Sequence, residues 1–181
     1  MAQWSSSYLE YTFGIPKIKG DILGVALFSV MLGLGRTLYS KYGKNIIKTL
    51  KLCSVLAVCC YVIAALTDVS VLGLVSCAMT GLFVSMLWPG SLIAATEKLG
   101  TESVALFALM AAGGDLGASV GTQLIGTVTD TISKIPYVIS FADKVAMSSQ
   151  KIGMKIGFLI AAIFPLVAFL AFTKLHKLKE Q

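Results

Sequence analysis

Five stretches of this sequence, roughly residues 21–40, 49–67, 70–93, 103–127 and 157–174, are each apolar over close to the length needed to cross a bilayer. A span needs about 20 mostly apolar residues to cover about 30 Å of hydrocarbon. Each run is too continuously apolar for an amphipathic surface helix, and the glycines and prolines inside them are tolerated in membranes. Composition agrees: 56% of residues are apolar, only 13% are charged and mean hydropathy is +0.84. A soluble domain carries about 25% charged residues, so a chain this poor in charge is solvated by lipid. The expected fold class is an all-α membrane protein, with residues 1–181 forming a single membrane domain.

The net charge of +6 does not point to nucleic acid. Basic residues sit at the edges of apolar runs and form no stripe with interleaved aromatics. They read instead as loop charges that orient the spans. With the loop at 40–51 inside, the cytoplasmic side collects nine basic residues: Arg36, Lys41, Lys44, Lys48, Lys51, Lys98, Lys174, Lys177 and Lys179. The acids there are Glu97, Glu102 and Glu180. The outer side collects six basic residues, Lys17, Lys19, Lys134, Lys144, Lys151 and Lys155, against five acids, Glu10, Asp21, Asp68, Asp130 and Asp143. The dense lysines of the short 40–51 loop weigh most, because short loops set orientation. The C-terminus is therefore expected in the cytoplasm of a multi-pass cell-membrane protein.

That orientation puts Met1 outside, yet the first 20 residues lack the basic start and apolar core of a secretion signal. Met1 is thus expected to be internal to a longer protein, with residues 1–16 the outer end of a preceding helix running into a loop. The other reading is a short interfacial segment anchored by Trp4, Tyr8 and Tyr11. The long outer connector at 128–154 has room for a short interfacial helix around IPYVISFADKVA.

Asp115 is the most informative residue. It falls mid-span in 103–127, where an ionisable group costs about 2.5–3.5 kcal/mol on insertion scales. Helical spacing puts Ser119, Thr122 and Gln123 on its face, while Gly113, Gly117 and Gly121 recur on another. One side is expected to pack closely through small residues, the other to show a carboxylate, hydroxyls and an amide to a solute or ion pathway. The competing role for Asp115 is a structural carboxylate bonded to a neighbouring helix. In 70–93, Ser85 and Trp88 share a face, and Pro89 cannot donate to the Ser85 carbonyl. A carbonyl freed beside a Trp is a second candidate for the pathway, although a Trp near a membrane interface also serves as an anchor. Gly20 and Gly24 form a further pair for helix packing.

Catalysis finds no support in the pattern: there is no P-loop, HExxH, Ser/His/Asp set or paired intramembrane carboxylate. Cys53, Cys59, Cys60 and Cys77 lie in apolar runs far from His176, the one histidine, so no metal site and no cofactor are implied.

GRTLYSKYGKN resembles the cytoplasmic-loop signature of the major facilitator superfamily, Gly-x-Leu-Ala-Asp-Arg-x-Gly-Arg-Lys, in the copy between helices eight and nine. Leu38, Lys41, Gly43 and Lys44 match in type, while Arg36 stands at the first glycine and Ser40 at the aspartate. AQWSSSYLE with GIPKIKGDILG is similar to the junction of helices seven and eight in bacterial sugar-permease-like, fucose-permease-like members. GLFVSMLWPGSLIAAT resembles their tenth helix and ALMAAGGDLGASVGTQLIG their eleventh. The resemblance implies five helices forming most of one six-helix half of a twelve-helix secondary transporter, with a midplane site. It further implies a small polar solute with sugar as the indicated class, and a missing N-terminal transporter half, on the same or a separate chain, as partner beside the lipid bilayer. Proton coupling is a question raised by Asp115 alone. The alternative is a standalone membrane subunit or scaffold that assembles through its glycine-rich helix faces.

Overall fold

A computed structural model describes residues 2–100 and 103–177, and among them every regular element is a helix. A 3-10 turn at Ala2–Trp4 leads into α1 (Ser5–Phe13). The long helices follow as α2 (Lys17–Tyr42), α3 (Ile46–Leu66), α4 (Ser70–Leu99) and α5 (Val104–Ser133). After the short α6 (Pro136–Lys144) comes α7 (Ser149–Lys177). By length and composition α2, α3, α4, α5 and α7 are each able to cross a membrane. The chain is an all-α, multi-pass membrane protein.

Local chemistry sets the helix ends. Gly14 closes α1 at φ 66°, where its amide reaches Glu10 O and the Ile15 amide reaches Leu9 O. Only a residue free of Cβ strain adopts that left-handed turn readily. Asn45 caps α3 by accepting from the Lys48 amide at 3.1 Å, and Ser103 caps α5 by accepting from the Leu106 amide at 3.2 Å. Each side chain satisfies an amide that has no partner in the first helical turn.

The helices outrun the apolar stretches. The loop expected at 40–51 shrinks to residues 43–45, so Lys41 lies on α2 and Lys48 and Lys51 on α3. Likewise α7 begins at Ser149 rather than near 157. Lys151 and Lys155 make that first segment read as a connector, but on one helix face both reach Asp68, each at 2.8 Å. The two lysines donate hydrogen bonds that hold the Asp68 carboxyl down at about 2, well below the usual carboxylate range.

Two apolar clusters tie the bundle together, one near each end. Near Asp68, Tyr8 and Leu9 of α1 pack with Ala64, Cys77, Ile125, Met154 and Phe158. Near Asn45, Ile46, Ile47 and Leu50 pack with Met86 and Ala94. Tyr8 is fully buried and donates its hydroxyl to the Ala64 carbonyl at 2.6 Å. The interfacial-anchor reading of Tyr8 is therefore wrong, since the ring stands inside the bundle. Tyr11 is exposed.

Candidate functional site

Between the two clusters lies a cavity of about 370 Å³. Gln3, Trp4, Phe28, Tyr61, Thr80 and Phe164 line it together with Gly117, Ala118, Gly121 and Thr122 of α5. Aromatic rings, an amide and three hydroxyls make this wall, and among the described residues no charged side chain does. The Thr122 hydroxyl bonds both the Ala118 carbonyl and Gln3 Oε1, each at 2.8 Å, and Trp4 Nε1 donates to the Thr122 carbonyl at 3.2 Å. These two contacts fix the start of the chain against the middle of α5.

On the other side of α5, Ser119, Gln123 and Thr127 line an open groove with Val120 and Leu124. Together with Asp115 they recur every fourth residue, a polar stripe running roughly 18 Å along the helix. The Ser119 hydroxyl donates to the Asp115 backbone carbonyl at 2.9 Å, and Gln123 Nε2 donates to Thr127 Oγ1 at 3.3 Å. Asp115 is exposed, and its carboxylate has no hydrogen-bond or ion-pair partner among the described residues.

Thr122 thus parts from Ser119 and Gln123, with which the sequence grouped it, while Asp115 lines neither the cavity nor the groove. At about 100° per residue it falls roughly 20° to one side of Asp115, while Ser119 and Gln123 fall about 40° and 80° to the other. That difference is enough to send them to different surfaces.

The glycines need a larger correction. A Cβ added at Gly113 or Gly117 would meet nothing within 4 Å, and one at Gly121 only the Phe164 ring at 3.8 Å. No close packing occurs on that face among the described residues. Close approach happens elsewhere. Cβ atoms at Gly20 and Gly24 would stand 3.1 Å from Ser6 and Ser5 of α1. One at Gly153 of α7 would stand 2.6 Å from the Thr129 carbonyl oxygen, and one at Gly81 would meet the Phe28 carbonyl. The spacing of glycines is legible in a sequence, but whether backbone or open space faces them is not.

Ser85 and Trp88 also differ from expectation. Ser85 is buried and stands outside the cavity wall, to which α4 contributes Thr80 and Val84. Its carbonyl, which Pro89 leaves without an amide, is not free: Arg36 Nε donates to it at 3.3 Å. Trp88 is half exposed and sets its indole against Gly114, where an added Cβ would stand 2.8 Å from Nε1. In the loop-motif segment, Lys41 Nζ lies 5.5 Å from the Tyr42 ring centroid, Gly43 abuts the Tyr39 ring and Lys44 is exposed.

The cavity residues Gln3, Trp4, Phe28, Tyr61, Thr80 and Phe164 were not legible as a set. The one available signal is that four of them are aromatics, one on the Ala2–Trp4 turn and three on different helices. Among the described residues no three His, Cys, Asp or Glu side chains come together as a metal site would need. What the cavity offers is recognition through hydroxyls, an amide and ring faces, while the unpaired carboxylate of Asp115 lies outside its wall. No family model, curated protein or solved structure matches the chain.

Proposed function

We propose that this chain is the C-terminal part of a secondary transporter for a small polar solute, with α5 as the helix that faces the transport pathway. The observation that carries the proposal is the stripe Asp115–Ser119–Gln123–Thr127, exposed along the middle of a membrane-length helix. Turned to acyl chains, the carboxylate alone costs about 2.5–3.5 kcal/mol. Turned to a water-lined pathway closed by another set of helices, it keeps its hydration, and the hydroxyls and amide add donors and acceptors for a solute.

The likeness of GRTLYSKYGKN, GLFVSMLWPGSLIAAT and ALMAAGGDLGASVGTQLIG to the major facilitator superfamily supports the same reading. It supplies the missing N-terminal half as the surface that covers α5. A sugar is the solute class this likeness favours. In this account the protein is no enzyme, resides in the cell membrane and keeps its C-terminus in the cytoplasm, on the side of Lys41, Lys44, Lys48, Lys51, Lys98, Lys174 and Lys177.

A second reading, a small membrane subunit that assembles through its glycine faces, is favoured by the open space at Gly113 and Gly117. Uptake separates the two. In cells whose transporter contains this chain, Asp115→Asn is expected to lower solute uptake about tenfold, as removing an interaction of ~1.4 kcal/mol would. It is also expected to change the pH profile of uptake. Unchanged uptake with an unchanged profile would make Asp115 structural and leave the assembly reading in its place.

A further inference from the structure

Helix α4 is interrupted once, at Ser85 and Met86, where the backbone turns before a second helical segment, Leu87–Leu99, begins. Proline explains the break, because residue 89 has no amide to return to the carbonyl of residue 85. An unsatisfied carbonyl inside a membrane domain is costly, yet here it has a donor from another helix. Arg36 of α2 reaches across and gives its Nε hydrogen to Ser85 O at 3.3 Å.

The crossing is tight enough to hold that geometry. A Cβ on Gly35 would lie 2.6 Å from the Leu82 carbonyl oxygen and 2.9 Å from the Ser85 Cβ, so α2 meets α4 backbone against side chain at the break itself. The Ser85 hydroxyl turns back to Leu82 O at 2.7 Å and leaves its own carbonyl to Arg36. Just beyond the break, Leu87–Leu99 carries Trp88 to Gly114 of α5. Val84 and Gly117, each about one turn from these contact points, line the cavity. The Trp88–Gly114 contact lies just beyond this lining, on the side toward Asn45.

From these contacts we infer that Arg36 is the clamp of a hinge in α4: by holding the carbonyl that Pro89 leaves bare, it sets the angle at which Leu87–Leu99 presses Trp88 against Gly114. Loss of the clamp frees that segment to swing from α5. Arg36 is a positioning residue, and its effect on α5 passes through Trp88. The inference does not depend on which solute is carried, and its readout is separate from uptake.

The test uses the full chain in bilayer nanodiscs, where both faces meet buffer, with Trp4→Phe leaving Trp88 as the one remaining tryptophan. Iodide quenching reports how far the indole meets water. Arg36→Gln is expected to raise the quenching constant about threefold, in keeping with the loss of one hydrogen bond at the hinge. Arg36→Lys keeps a donor and is expected to restore most of the protection. Pro89→Ala supplies the missing amide, so adding it to Arg36→Gln is expected to return quenching to the starting value. Unchanged quenching in Arg36→Gln overturns the clamp, and so does an equal rise with and without Pro89→Ala. Should Arg36→Gln fail to fold, the combination with Pro89→Ala must fold; failure of both also overturns it.

Discussion

Helices α4 and α5 are both 30 residues long and apolar, yet the chain treats them in opposite ways. In α4, 44% of the most apolar window is buried; in α5, none is. Each carries one polar problem in mid-membrane. For α4 it is a backbone carbonyl without an amide, and the chain answers it internally through Arg36. For α5 it is the Asp115 carboxylate, and nothing among the described residues answers it. The contrast separates the part of the bundle that satisfies its own polar groups from the part that leaves one open. A polar group that finds its partner inside the bundle belongs to the architecture. One left open on a face of small and polar residues belongs to whatever the bundle faces.

The sharpest way to break this comparison is to overfill a glycine on each helix. Gly81 of α4 lies against the Phe28 carbonyl, so Gly81→Leu must push α2 and α4 apart. A loss of about 3 kcal/mol is expected, the upper end of ordinary overpacking. Gly117→Leu meets open space and is expected to stay within about 0.5 kcal/mol of the parent, as surface changes usually do. Reversible unfolding in mixed micelles measures both. Equal losses would mean that α5 is packed where the structure leaves it open.

A smaller effect sharpens the account at the other end of the bundle, where Lys151 and Lys155 tie α7 to the loop after α3 through Asp68. The Asp68 carboxylate is largely exposed, so solvent screening limits the worth of the pair. Asp68→Asn is expected to cost about 0.5 kcal/mol, less in high salt. The sign with pH follows from a folded-state value of about 2. Because that lies below the unfolded value of about 3.9, the contribution is full above pH ~4 and fades as pH falls through about 2. Stability of the parent and of Asp68→Asn, measured from pH 6 downward, should converge at the acid end. A gap that persists there would assign the effect to something other than the ion pair.

Much of the fold was legible because apolar runs of membrane length leave a chain few options: spans appear at all five expected places. Their ends were harder to place, since Lys151 and Lys155 look like loop residues until Asp68, 87 positions from Lys155, comes into contact. The same distance problem hid the partner of Ser85 O, which lies 49 residues earlier in the chain. Asp115 stood out unaided, because the cost of a charge at mid-span depends on depth alone. Its neighbours did not: the roughly 60° between Thr122 and Ser119 decides between a cavity and a groove, and only the packing of the Ala2–Trp4 turn and α7 against α5 sets which is which.

The central claim is that the stripe beginning at Asp115 meets water rather than lipid. It is tested most directly by placing single cysteines at Ser119 on α5 and at Val75, an exposed apolar position on α4, with the four native cysteines replaced by alanine. The complete membrane-embedded protein is then treated with a water-soluble maleimide. Modification of Ser119→Cys should outpace that of Val75→Cys by about tenfold or more, the margin expected between a hydrated and a lipid-covered face. Equal protection of the two sites would contradict the account, because α5 would then turn its polar stripe to the hydrocarbon.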